Sequence, residues 1–251
     1  MKLEFGERKI MEKIRVLTAG DSALLLQFEQ RIGEDVNRRI SATVKLLKMQ
    51  QIEGIVDMIP AYASLLVQYN PLVIRYEEIY KRVSAIVKMD TKVESMEKKV
   101  WEIPVLYGGE LGPDFSYVAE HAGISGEELI RLHSEKDYLV YMLGFLPGFT
   151  YLGGLEEKLH TPRLENPRVK IPAGSVGIGG SQTGVYPVDS PGGWQLIGRT
   201  PVKMYDPEKK DPILVQAGEY IHFYPITDRE YAKISEAVAT GNYTVQWHKE
   251  G

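Results

Sequence analysis

Between Lys13 and Met89 the apolar positions follow two periods in turn. KIRVLTAG and SALLLQFEQ read as strands, and Gly20-Asp21 between them is a turn dipeptide. Over Glu34 to Met49 the period lengthens. Val36, Ile40, Val44 and Leu47 recur at helical spacing with charges between them, which predicts an amphipathic helix. IVDMI and SLLVQYN return to the strand pattern, and Pro71 leads into a second helix carrying Ile79, Val83, Ile86 and Val87. Strand, strand, helix, strand, strand, helix predicts a small α+β domain over 11–90, with two helices on one face of an antiparallel sheet. No cluster of catalytic residue types falls there, so packing or partner binding is its expected role.

The polar run MDTKVESMEKK, Met89 to Lys99, lacks strong periodicity and is expected to link that domain to the next. KVWEIPVLYGGELGPD then reads as a strand ending in a Gly-Gly turn. Asp114 is expected to cap a short helix running to His121. Ser125 and Glu128 read as a capping box for another that runs to His133. YLVYML, VKMYD, PILVQ, EYIHFYP and a final YTVQW read as strands, with a helix over Asp228 to Ala239. A mostly β domain over 98–248 with peripheral helices follows, a barrel or sandwich in outline.

Within this second half, Leu143 to Pro201 holds twelve of the chain's 24 glycines. Glycine at that density reads as a series of turns held in fixed shape, with backbone that can approach a ligand or partner closely. Among the glycines stand His160, Arg163, Arg168, Ser175, Gln182, Thr183, Trp194, Gln195 and Arg199. Such a mixture of fork donors, hydroxyls, amides and one imidazole suits a small molecule carrying a carboxylate and an amide. His160, in a proline-flanked polar loop, is the candidate catalytic residue, because imidazole exchanges protons near neutral pH. Arg163, Arg168, Ser175, Gln182, Thr183 and Arg199 are the candidate substrate-binding set. The three arginines are either ion-pair partners of Glu165 and Asp189 or a converging carboxylate or phosphate site in which Arg163 is the first choice. Phe145, Phe149, Tyr151 and Leu152 read first as a packed loop and second as an aromatic wall of the pocket.

Composition narrows the function classes. A chain of 251 residues can bury roughly 70 to 75% of its unfolded surface, enough for one large domain or two ordinary ones. Net charge of −4 argues against a sequence-independent grip on nucleic acid or an anionic membrane. With no cysteine there is no disulfide, thiolate nucleophile or thiolate metal site. MKLEFGERKI has no signal-peptide core, and no run is long and apolar enough to span a bilayer, so a cytoplasmic protein is expected. The first ten residues, ahead of Met11, are left out of the fold.

Several chemistries can be set aside. Ala173-Gly174-Ser175-Val176-Gly177 mimics a nucleophile elbow, but Pro172 precedes it and no helix pattern follows. Gly177-Ile178-Gly179 lacks the third glycine of a dinucleotide loop, and no phosphate-loop motif occurs. Histidines and acids show no metal-ligand spacing, so no metal is expected.

GFLPGFTYLGGL, the HTPR at His160 to Arg163, NPR and PAGSVGIGGSQTGVYPVDSPGGWQLIGRTP are similar to motifs of the allophanate hydrolase subunit 1 family. That family includes the B-type component of 5-oxoprolinase and Kip-type inhibitors of a sporulation histidine kinase. The resemblance is dense over about Trp101 to Trp247 and looser over the first domain, where GDSALLLQF carries it and Glu29 departs from the family's usual glycine. It implies a small α+β domain followed by a cyclophilin-like β-barrel. It also implies one component of an ATP-dependent 5-oxoprolinase that opens 5-oxo-L-proline to L-glutamate, inactive alone. Partners of the C type and the A type from the same 5-oxoprolinase are implied, with ATP bound by or shared with a partner. The alternatives it carries are a histidine-kinase inhibitor and a component of an allophanate hydrolase. Pairing would bury apolar surface, so Phe145 to Leu155 is expected to be exposed in the lone chain.

Overall fold

The computed structural model describes residues 14–31, 33–89, 98–144 and 146–250. Most of the expected link, the first ten residues and Phe145 lie outside them. The chain divides into two compact units, Met1–Val93 and Glu94–Gly251. Among the described residues no helix is long and apolar enough to cross a membrane.

In the first unit, β1 (Arg15–Ala19) and β2 (Ala23–Gln27) form a hairpin closed at Gly20, whose φ of 66° is the left-handed turn conformation that glycine supplies. α1 (Glu34–Met49) follows, then β3 (Ile55–Pro60), β4 (Ser64–Tyr69) and α2 (Tyr76–Val87). The antiparallel sheet has the order β1-β2-β4-β3. Leu24, Leu26, Leu65 and Val67 share one sheet face by alternation. They pack with Val36, Ile40 and Leu47 of α1 and Ile79, Val83 and Ile86 of α2 in one core. Each fully buried aliphatic side chain there contributes about 2 kcal/mol of hydrophobic stabilisation.

The second unit contains β5 (Lys98–Tyr107), α3 (Phe115–Ala122), α4 (Gly126–Ser134), β6 (Asp137–Leu143) and β7 (Thr150–Gly153). Then come β8 (Arg168–Ile171), β9 (Ser175–Gly179), β10 (Gln182–Val185), β11 (Ser190–Gly192) and β12 (Gln195–Arg199). β13 (Tyr220–Pro225), α5 (Asp228–Ala239) and β14 (Trp247–Glu250) complete it. Seven strands close a barrel in the order β12-β9-β10-β7-β6-β13-β5, because β12 pairs back onto β5 at Gly198 with Tyr107 and Arg199 with Leu106. That seam needs a residue without a side chain: a Cβ on Gly198 would stand 2.6 Å from the Leu106 carbonyl oxygen. β14 adds to β5 outside the closed ring, and β8 with β11 forms a separate two-stranded ribbon. Ile103, Val105, Val140, Leu152, Val176, Ile178, Ile197, Ile221 and Phe223 from the barrel strands share one core with Val118 and Leu129 of α3 and α4.

Several local expectations change. Much of the glycine-rich stretch is barrel wall and ribbon, since β8 to β12 all lie in it, while Gly148, Gly154, Gly174 and Gly180 take positive φ in the turns between strands. VKMYD and PILVQ are not strands. Val202, Met204 and Val215 are buried against the core, but the only described pairing in this segment is a single bridge between Tyr205 and Ile213, so the apolar signal reflects packing without a ladder. Likewise Tyr243 and Val245 pack on the core while the last strand begins at Trp247. Ser125 accepts the Glu128 N–H at 3.2 Å, but the Glu128 carboxylate turns to Arg131, so only half of that capping box forms. A full box stands instead at Thr227 and Glu230 ahead of α5.

Candidate functional site

Phe149, Tyr186 and Trp194 are each about 5% exposed and pack edge to face, with ring centroids 5.3 to 6.1 Å apart. Tyr151 joins at 5.0 Å from Phe149. Trp194 lies on a floor of glycines. A Cβ on Gly179 would overlap its indole nitrogen, and one on Gly184 would stand 2.6 Å from the Thr150 carbonyl oxygen and 3.1 Å from the indole ring. The close approach that glycine density permits is therefore taken up by a tryptophan. Of the residues read as a packed loop, Phe149 and Leu152 are buried, Tyr151 is half-buried and Phe145 lies outside the described residues; Leu155 is buried too, so the expected exposed patch is absent among the described apolar residues of this stretch. Burial pushes the Tyr186 phenol up, against the opposing pull of a Trp194 backbone N–H and of the Arg163 and Arg168 charges.

Arg163 is exposed, and its guanidinium carbon lies 5.7 Å from the Trp194 ring centroid. Its loop is tied down on both sides. Gln195 Nε2 donates to the Pro162 carbonyl at 3.0 Å, and the Leu164 N–H donates to the Gly193 carbonyl at 2.7 Å. An exposed, planar fork held over an aromatic face can take a carboxylate.

Arg168 does not join Arg163 as an open donor. Its Nη2 bonds both carboxylate oxygens of Asp114, at 2.7 and 2.9 Å, and its Nη1 donates to the Trp194 carbonyl at 3.2 Å. Asp114 occupies the N-cap position of α3, yet its side chain caps nothing. It accepts the Leu196 N–H at 2.6 Å instead.

His160 ends a 3₁₀ turn at Glu157–Leu159, and its Nε2 lies 3.3 Å from the Leu155 carbonyl. In the tautomer that makes this bond Nε2 donates and Nδ1 is the acceptor left for chemistry. Ser175 is buried and donates to the Pro172 carbonyl at 2.7 Å, a turn contact. Arg199 pairs with Ser175 in the sheet register and adds its charge to those of Lys170 near Asp189, whose carboxyl is held below its ordinary value chiefly by the Lys170 hydrogen bond. The Arg199 Nε is buried without a hydrogen-bond partner. Gln182 pairs with Gly179 at the start of β10. Arg163 is open and Arg168 is locked to Asp114, though both charges act on Tyr186, whereas Arg199 adds its charge near Asp189.

Thr183 is fully buried in a hydrogen-bonded chain invisible to the sequence reading. Its hydroxyl donates to the Gly177 carbonyl at 3.1 Å, so it must accept from His133 Nε2 at 2.8 Å. His133 Nδ1 then accepts from the Tyr107 hydroxyl at 2.8 Å. Burial lowers the His133 imidazole to about 3, so it is neutral, and burial pushes the Tyr107 phenol up. Thr183 thus ties α4 to the barrel and offers no open hydroxyl. Asp114, Tyr107, His133 and Tyr186 were not found as site-shaping residues from sequence, because their partners are 26 to 82 positions away or belong to the backbone. No group of three or more His, Cys, Asp or Glu that could hold a metal occurs among the described residues.

The profile of the family described as carboxyltransferase domain, subdomain C and D, matches residues 14–215. The B component of 5-oxoprolinase from Bacillus subtilis strain 168 is 41% identical over 227 residues, covering 86% of this chain and 95% of that protein. Among solved structures, PH0987 of Pyrococcus horikoshii is 48% identical with a TM-score of 0.52, covering 86% of this chain and all of that one. TTHA0988 is 35% identical with a TM-score of 0.72 over 82% of this chain, and the chain spans only 40% of its length. The chain belongs to the family of the carboxyltransferase domain, subdomains C and D, together with the B components of 5-oxoprolinase.

Proposed function

We propose that this chain is the B-type component of an ATP-dependent 5-oxoprolinase, which opens 5-oxo-L-proline to L-glutamate. The observation that carries the reading is the near full-length similarity to the corresponding 5-oxoprolinase component of Bacillus subtilis. The site geometry suits it. 5-Oxoproline is a small ring bearing one carboxylate and one amide; Arg163 offers the carboxylate a planar fork, and Trp194 beneath it keeps that fork in one orientation. Ring opening breaks the amide C–N bond, adds water across it and leaves a new carboxylate and an amine. His160, through Nδ1, is the group of this chain proposed to move a proton in that step. An unstrained amide is a poor electrophile, so ATP is required to activate the carbonyl. We assign the ATP site to a C-type or A-type partner, since this sequence carries no phosphate loop.

The same reading treats the two units as domains over 11–90 and 98–248, the second a cyclophilin-like barrel, in a cytoplasmic complex. The test is substrate choice. The complex assembled with C-type and A-type partners should hydrolyse ATP in response to 5-oxoproline and release glutamate. Stimulation by allophanate or urea alone would transfer the chain to urea breakdown, and tight binding to a histidine kinase without turnover would make it an inhibitor.

A further inference from the structure

The position of Arg163 can be traced back, contact by contact, to a carboxylate on a different element. Arg163 hangs between Pro162, whose carbonyl is held by Gln195, and Leu164, whose N–H is held by Gly193. Its guanidinium also faces the Trp194 ring. All three anchors belong to the short segment Gly193–Leu196 at the entrance to β12. That segment is in turn held from outside the barrel ladder. The Trp194 carbonyl accepts from Arg168, the Leu196 N–H donates to the Asp114 carboxylate, and the Leu196 carbonyl accepts the Asp114 N–H at 2.9 Å. Asp114 and Arg168 are bound to each other through both carboxylate oxygens, and their side chains are only 13% and 28% exposed. Screening by water is accordingly limited, and the pair is fixed in one geometry.

We infer that Asp114, with Arg168, is a positioning residue for substrate recognition: the pair fixes Gly193–Leu196 and thereby aims the Arg163 fork. This inference rests on the 5-oxoprolinase reading of the Arg163 site and adds to it a control point at the N-cap of α3 that touches no substrate. It also reassigns Arg168 from substrate binding to support.

A mutant cycle in the assembled complex tests it. Asp114→Asn keeps an acceptor for the Leu196 N–H but removes the charge facing Arg168. Arg168→Lys keeps the charge but cannot reach both Asp114 and the Trp194 carbonyl, and it serves if the first variant fails to fold. Each should raise KM for 5-oxoproline about tenfold or more, the fold-change of one misplaced charge-assisted hydrogen bond, while kcat is retained. Added to Arg163→Gln, neither should raise KM further, because the residue through which they act is gone. Unchanged KM in both variants, or KM increases that persist undiminished in the Arg163→Gln background, would overturn the positioning role. Arg163→Gln alone with an unchanged KM would instead remove the underlying site reading.

Discussion

The indole of Trp194 rests where a side chain on Gly179 would stand. The two residues make one surface, strand floor and ring, on which Arg163 is carried. Gly179→Ala must therefore move either the ring or β9. The expected cost is overpacking of about 1–3 kcal/mol in chemical denaturation, together with weaker binding of 5-oxoproline by the complex. Gly241→Ala is the contrast. There φ is 73° with open space around it, so only backbone strain of about 1 kcal/mol is expected and affinity should not move. Intact affinity in Gly179→Ala, despite reduced stability, would detach Trp194 from recognition.

Arg163→Lys preserves the charge and discards the fork and its flat contact with Trp194. Affinity for 5-oxoproline should fall about tenfold, read as a rise in KM with little change in kcat. Because Arg163 is exposed, the unfolding midpoint of the variant should match that of the parent. A parent-like KM would take Arg163 out of the site.

How far the sequence led can be judged at particular residues. The helix at Glu34–Met49 was legible to its ends, since Val36, Ile40 and Leu47 keep the 3.6-residue period and are buried. Arg163 is the first-choice fork because it stands in HTPR, and it is exposed. That Arg168 is locked is not legible in the sequence, for what holds it is Asp114, 54 positions earlier, and a backbone carbonyl. The glycines are only partly legible, for a physical reason. Glycine in a turn and glycine beneath a ring look the same in one dimension, and only the packing of Trp194 on Gly179 and Gly184 separates them. The burial of Thr183 is hidden for a related reason: a hydroxyl between His133 and Gly177 carries no mark of burial in its neighbours along the chain.

His133 makes the barrel sensitive to acid. Its folded-state value is depressed to about 3 by burial, while the unfolded chain titrates near 6.5. Between those values the unfolded state binds a proton that the folded state refuses. The contribution is therefore fully present above about pH 6.5 and is lost as pH falls, by about 1.4 kcal/mol per pH unit. Unfolding free energies measured from pH 7 to pH 5 should fall more steeply for the parent than for His133→Gln, which cannot titrate. Parallel slopes would contradict a neutral His133 in the Tyr107 to Thr183 chain.

The most direct measurement of the central claim is a drop-out reconstitution that follows ATP-dependent glutamate release from 5-oxoproline. This chain alone, and the C-type and A-type partners without it, should both be silent, and the full mixture should turn over. Turnover by the lone chain, or undiminished turnover when this chain is omitted, would contradict the account.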